Sequence, residues 1–200
     1  MPREKYIYYK LYKPFRVLSQ FSDIEGRKTL KDLFNFPDDV YPVGRLDYDS
    51  EGLLILTNDR LITGLLLNPA YEHKREYFVQ VEGIPEEKDL ELFKNGLIIK
   101  GRKTQPASAE LISAPPVPAR NPPVRFRKHI PDSWLKIILT EGKNRQVRRM
   151  TAAIGFPTLR LIRVRIENIT LDNMNPGEVR KLSSEEINGL AEIKSKLSHK

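Results

Sequence analysis

Apolar and polar positions alternate from the start of the chain. Ile7, Tyr9 and Leu11 fall on one side, Tyr6, Tyr8, Lys10 and Tyr12 on the other, and Pro14 ends the run. This pattern predicts a strand whose tyrosines either pack against a neighbour or offer rings on which bases stack. Residues 29–34 read as a short helix. Residues 52–57, Gly-Leu-Leu-Ile-Leu-Thr, are too apolar to alternate and too few for a helix, so they are predicted to be a buried strand. Asn58 or Asp59 caps a helix over roughly 59–67, which ends before Pro69. Alternation returns over 74–82, with Tyr77, Val79 and Val81 sharing a face. A helix of about 86–95 closes at Gly96, and two short strands follow near 97–112.

Residues 114–131 carry six prolines, which leave little room for a helix or a ladder and predict a stiff, extended loop. Beyond it lie a strand over 134–140, a helix over 144–154 closed by Gly155 and Pro157, and a strand over 158–168. The last ten residues, 191–200, read as a frayed tail. Strands outnumber helices and alternate with them irregularly, so the fold class is α+β around a large, mostly antiparallel sheet.

Composition narrows the function classes. The chain has 200 residues, enough for a real core, and no cysteine, which removes disulfides, zinc knuckles and thiol nucleophiles. No apolar run approaches the roughly 20 residues that span a bilayer, and the opening Met-Pro-Arg-Glu-Lys-Tyr is charged. A soluble, cytoplasmic protein without membrane contact is expected. Net charge is +8 but uneven: residues 120–165 hold 12 Lys or Arg, nine of them arginine, against 2 acids. Arginine forks suit phosphate, so this segment, with Arg120, Arg125, Arg127 and Lys128 interleaved among prolines, points to a polyanion such as RNA.

Within the helix over 144–154 the charges sort by angle. Met150, Thr151 and Ile154 fall within about 60° of Val147, while Arg145 and Arg149 lie about 160° away and Arg148 about 100°. Arg148 therefore sits at the edge of the buried stripe, placed for a half-buried carboxylate, and Arg145 and Arg149 face out towards phosphate. Main-chain N–H groups at the start of this helix, after Gly142, add to that.

Three acids, Asp47, Asp49 and Glu51, crowd into five positions of the segment Val43–Asp59. With Gly52 they fall at positions 1, 3, 5 and 6 of a calcium loop, but position 12 is Asn58, which offers no bidentate carboxylate. Paired-carboxylate hydrolysis is a weak option, since side chains two apart on an extended loop point in opposite directions. A single carboxylate acting as nucleophile or base beside a cation is the third. Residue types alone do not pick among the acids.

The order of these motifs resembles a known family, the RsuA-type ribosomal RNA pseudouridine synthases. Gly44-Arg-Leu-Asp47 followed by Ser50-Glu-Gly-Leu-Leu-Ile-Leu-Thr-Asn-Asp59 is similar to that family's active-site motif. Lys74-Arg-Glu-Tyr77 resembles the second motif, Glu141-Gly-Lys-Asn-Arg-Gln-Val-Arg-Arg-Met150 the third, and Lys13-Pro-Phe-Arg-Val-Leu-Ser-Gln-Phe21 the opening one. Similarity runs from about Tyr6 to Leu182. The runs 120–125, 130–136 and 149–163 resemble a large-subunit branch without the N-terminal S4 RNA-binding domain. Two departures concern loops: Phe15-Arg16, where relatives often carry a residue followed by glycine, and Arg60, where they usually have glycine.

The resemblance implies a pseudouridine synthase fold, its sheet split into two subdomains flanked by helices with the catalytic cleft across the sheet. It implies one catalytic domain over 1–190 in two lobes, without S4 domain, acting as a monomer. The implied reaction isomerises a flipped-out uridine of large-subunit ribosomal RNA, with no cofactor and no metal. Asp47 would be the catalytic carboxylate, attacking C1′ or removing a C2′ proton, with Arg148 keeping it ionised and Tyr77 stacking on the uracil. Lys13, Arg45, Arg120, Arg125, Arg127, Lys143, Asn144, Arg145, Gln146 and Arg149 are the expected RNA contacts.

Overall fold

A computed structural model describes residues 6–125, 128–171 and 173–197. In chain order the elements are β1 (Tyr8–Lys13), β2 (Tyr41–Pro42), β3 (Glu51–Thr57), α1 (Arg60–Leu67), β4 (Arg75–Glu82), α2 (Glu87–Asn95), β5 (Ile98–Ile99) and β6 (Arg102–Lys103). They continue with β7 (Ser108–Ile112), β8 (Asp132–Leu139), α3 (Gln146–Ala153), β9 (Thr158–Ile166), β10 (Ile169–Thr170), β11 (Val179–Lys181) and α4 (Ser184–Leu197). The chain divides into two compact units, Met1–Tyr71 with Glu167–Lys200, and Glu72–Ile166. Every strand pairing within each unit is antiparallel among the described residues.

In the first unit β1 lies between β11 and β3, with Tyr9 opposite Lys181 on one side and Leu56 on the other, and β2 adds to β3. All of β3 is buried, as its unbroken apolar run requires. The tyrosines of β1 pack rather than form an open platform. Tyr9 and Tyr12 are buried, Tyr9 meets Phe36 edge-on at 5.5 Å between ring centres, and the Tyr8 hydroxyl donates to Asp59 at 2.8 Å. Asp59 is the cap of α1, its carboxylate accepting the N–H groups of Leu61 and Ile62. Asn58 instead accepts the N–H of Ile7. The helix expected over 29–34 shrinks to one 3₁₀ turn, Leu30–Asp32.

The frayed tail expected over 191–200 needs correcting, because α4 continues to Leu197. Its start is a capping box: the Ser183 N–H donates to the Glu186 carboxylate at 2.8 Å and the Glu186 N–H to the Ser183 hydroxyl at 3.2 Å. Glu186 also forms a buried ion pair with Lys10 of β1 at 2.7 Å, and Leu190 is buried. These contacts anchor a helix that a polar, lysine-rich end conceals.

The second unit is a sheet in the order β9-β4-β8-β7 with a separate β5–β6 hairpin. Tyr77, Val79 and Val81 of β4 form one buried face with Leu135, Ile137 and Leu139 of β8, and α2 and α3 add Leu90, Phe93, Val147 and Met150 to the same core. Between α2 and β8 there are three short strands, not two. Gly96 closes α2 at φ 74°, and a Cβ there would lie 2.4 Å from the Thr104 carbonyl oxygen, so only glycine fits. The described part of 113–131 has neither helix nor strand.

Candidate active site

Asp47 is half-buried on the loop between β2 and β3, and the surrounding backbone is fastened at several points. The Val43 N–H donates to the Ile55 carbonyl at 2.7 Å. Gly44 turns at φ 73°, a conformation other residues adopt only at a cost. Leu46 is gripped by one side chain: the buried Ser19 hydroxyl accepts its N–H at 3.0 Å and donates to its carbonyl at 2.9 Å. The Arg16 N–H reaches the Tyr48 carbonyl at 2.8 Å, and the Ser50 N–H closes a turn onto the Asp47 carbonyl at 3.0 Å. Arg16 itself has φ 58°, a conformation that glycine adopts at less cost.

The three acids are therefore unlike one another. Asp49 sits half-buried in the turn after Asp47, and Glu51 is buried at the first position of β3. That strand occupies the second half of the would-be calcium loop. Among the described residues no group of three or more His, Cys, Asp or Glu side chains is disposed to hold a metal ion.

In the second unit Tyr77 is only 7% exposed and belongs to the core that receives Val147 and Met150 of α3. The buried stripe of α3 is the expected one, Val147, Met150 and Thr151, with Ile154 packed beside it. Arg148 is half-buried, with one guanidinium N–H directed to the Thr158 carbonyl at 3.4 Å. The helix starts two residues later than expected, because Arg145 is left-handed at φ 51°. Arg145 is thus exposed on the lead-in, not on the helix face, and the half-buried Arg149 donates to Asn144 at 2.7 Å.

A compact polar knot holds that lead-in. Glu141, 6% exposed, accepts the Lys143 ammonium at 2.7 Å, the Gln146 amide at 2.5 Å and the Gln105 N–H at 2.9 Å. Burial alone would raise the Glu141 pKa, but hydrogen bonds from Lys143, Gln105 and Gln146 outweigh it and hold the carboxyl below its ordinary range. Gln146 is buried, and its amide oxygen accepts the Lys143 N–H at 2.9 Å. The expected RNA contact at Gln146 is thus an internal brace, and one main-chain N–H offered to phosphate is already capped.

Other expected RNA contacts separate in the same way. Arg45, Arg125, Lys143, Asn144 and Arg145 are exposed. Lys13 needs correcting: it is fully buried, its ammonium donating to the carbonyls of Pro14 and Val17 at 2.8 and 2.7 Å. The half-buried Arg120 guanidinium folds back on its own loop, bracing the carbonyls of Pro122 and Pro123. Arg127 lies outside the described residues. Further along, Arg160 and Arg163 are buried, Arg165 pairs with Glu76 and Lys136 with Glu110, so much of the basic segment is consumed internally.

Comparison with known proteins gives a consistent set of relatives. Residues 7–153 match a family model described as RNA pseudouridylate synthase. A Vibrio parahaemolyticus protein named ribosomal large subunit pseudouridine synthase E is 52% identical over 170 residues, which cover 85% of this chain and 71% of that protein. A protein of the same name from Xanthomonas axonopodis pv. citri is 49% identical, covering 83% of this chain and 88% of its own. Among solved structures, one described as a pseudouridylate synthase aligns with a TM-score of 0.78 over 95% of this chain and 76% of its own, at 26% identity.

Proposed function

The chain belongs to the RNA pseudouridylate synthase family, and from that premise we propose how its residues serve the family's reaction. The reaction is the isomerisation of a uridine to pseudouridine in large-subunit ribosomal RNA. The N1–C1′ bond breaks, the uracil turns over, C5 bonds to C1′, and the C5 proton is exchanged for one at N1. No electrons are gained or lost, so the chemistry calls for no redox partner.

Asp47 is the catalytic carboxylate, attacking C1′ or removing a C2′ proton. The observation that supports it is the fastening of its loop at Val43, Leu46, Tyr48 and Ser50, since a reacting carboxylate works only if its approach is fixed before substrate arrives. Tyr77 and Arg148 are the further catalytic residues, on their match to the second and third motifs. The target uridine leaves its stack at a cost of a few kcal/mol, which phosphate contacts from exposed Arg45, Arg125, Lys143 and Arg145 offset in part. We place this work in the cytoplasm, on a monomer; among the described residues no helix is long and apolar enough to cross a membrane.

Asp47→Asn tests the assignment. Pseudouridine formation in large-subunit RNA is expected to fall by at least ~10³-fold, with RNA affinity within about threefold of the native chain. Turnover at the native rate would remove Asp47 from the mechanism. Mapping pseudouridines in ribosomal RNA from cells with and without the gene identifies the target.

A further inference from the structure

One cavity joins side chains of the third motif to cations of a hairpin that no motif covers. It has a volume of about 370 Å³ and opens between the β5–β6 hairpin and the start of α3. Lys100 and Arg102 line it from the hairpin, Lys143, Asn144 and Arg149 from the α3 side, with Ile99 on its wall. With Thr104 and Gln146 the lining has eight residues, four of them cations. Among the described residues Lys143 is paired with Glu141, while Lys100, Arg102 and Arg149 face no carboxylate at ion-pair distance. None of Asp47, Tyr77 or Arg148 belongs to its lining.

The β5–β6 hairpin brings Lys100 and Arg102 here through a two-residue turn. Its two turn residues, Lys100 and Gly101, both have positive φ, at 51° and 74°. Asparagine or glycine would take the first position more easily, so a lysine there retains a charge at some conformational cost. Ile99 is packed against the core that holds α3, which fixes the hairpin beside that helix.

We propose that this cavity is a second RNA subsite, taking a phosphate and its unpaired nucleotide from the substrate strand other than the uridine being isomerised. The inference rests on the RNA reading above and adds a place on it. The volume exceeds what a phosphate alone fills and lies in the range of small-ligand pockets, roughly 300–1,000 Å³. Lysine and arginine neutralise the phosphate, and the exposed Arg102 guanidinium is flat enough to stack on a base while Asn144, whose oxygen accepts from Arg149, offers its amide N–H groups.

The test is RNA affinity as a function of salt, using large-subunit ribosomal RNA transcribed in vitro. Lys100→Asn with Arg102→Gln keeps the turn and removes two cations. It is expected to raise Kd about tenfold at ~100 mM salt and to flatten the slope of log affinity against log salt by about 1, the share of one phosphate. Lys88→Gln with Lys94→Gln on α2 removes the same charge elsewhere and should change Kd less than about twofold. Arg149→Gln, from the other wall, raises Kd about threefold at ~100 mM salt and flattens the slope by less than about 1, and it decides the matter if the hairpin variant melts early. Equal affinity and slope for the cavity variants, the α2 variant and the native chain overturn the subsite, whatever the activity. Loss of affinity in the cavity variants with no pseudouridine formed by the native chain would instead keep the subsite and sink the assigned reaction.

Discussion

Replacing Ser19 by alanine should disable the Asp47 loop without touching Asp47. The Ser19 hydroxyl both accepts the Leu46 N–H and donates to the Leu46 carbonyl, at 3.0 and 2.9 Å, and both residues are buried. Alanine leaves a buried donor and a buried acceptor unmet, at about 1–3 kcal/mol each, so a loss of about 3 kcal/mol is expected if the loop stays in place. For a chain of 200 residues that corresponds to a fall in Tm of about 6–12 °C, measured by calorimetry or circular dichroism. The loop can lower this cost by shifting Leu46 towards water, and that shift moves Asp47. Either way kcat for pseudouridine formation should drop about tenfold or more while KM stays within about threefold, because Ser19 positions the carboxylate's loop rather than the RNA. A variant with Tm within about 1 °C of native and unchanged kcat would refute the reasoning. A lower Tm with native kcat would show that the grip serves the fold and not the site.

Other expectations concern charge. Lys10→Met leaves Glu186 buried without its cation, so stability should fall by about 3–5 kcal/mol in a urea titration; a loss below about 1 kcal/mol would mean α4 is not anchored there. Arg148→Ala should lose far more pseudouridine synthesis than Arg145→Ala, since Arg148 lies half-buried on α3 and Arg145 exposed before it; equal losses count against the placement. Glu141 binds a proton less readily folded than unfolded, so its contribution is complete above the ordinary glutamate pKa of about 4.3 and fades as pH falls through that value towards the lower folded one. The deficit of Glu141→Gln against the native chain, measured by denaturant titration, should therefore be full at pH 7 and shrink below about pH 4; a deficit constant to pH 3 would exclude the mechanism.

The fold was legible where a period repeats often enough to be read. β1, β3, β4, β8, β9 and the first three helices show an alternation, an apolar run or a helical stripe several residues long. β2, β5, β6 and β10 are two residues each, shorter than any period, and only tertiary pairing defines them. The start of α3 was misplaced because no propensity foresees a left-handed arginine at 145. For α4 the signal was present in the letters, Ser183 three residues before Glu186 and Ile187, Leu190, Ile193 and Leu197 at near-helical spacing, but Gly189 and a lysine-rich end obscure it.

Asp47 could be singled out because its motif is contiguous, whereas Ser19, which grips the loop, lies 27 positions before Leu46 in the opening motif, whose letters do not say which backbone it holds. The basic segment failed in the opposite direction. Its nine arginines suggested a broad phosphate surface, yet Arg120 braces proline carbonyls, Arg160 reaches the Pro118 carbonyl at 2.9 Å and Arg165 holds Glu76. A guanidinium has five donors, and a proline-rich loop without a ladder has many unmet carbonyls, so Arg120 and Arg160 are drawn to it before any RNA arrives, while Arg125 stays exposed. Lys100 and Arg102 lie outside the basic segment and carry no such demand, since their hairpin satisfies its own backbone. Cations available to a polyanion are therefore better sought where the local backbone is already paired than where arginines are most numerous.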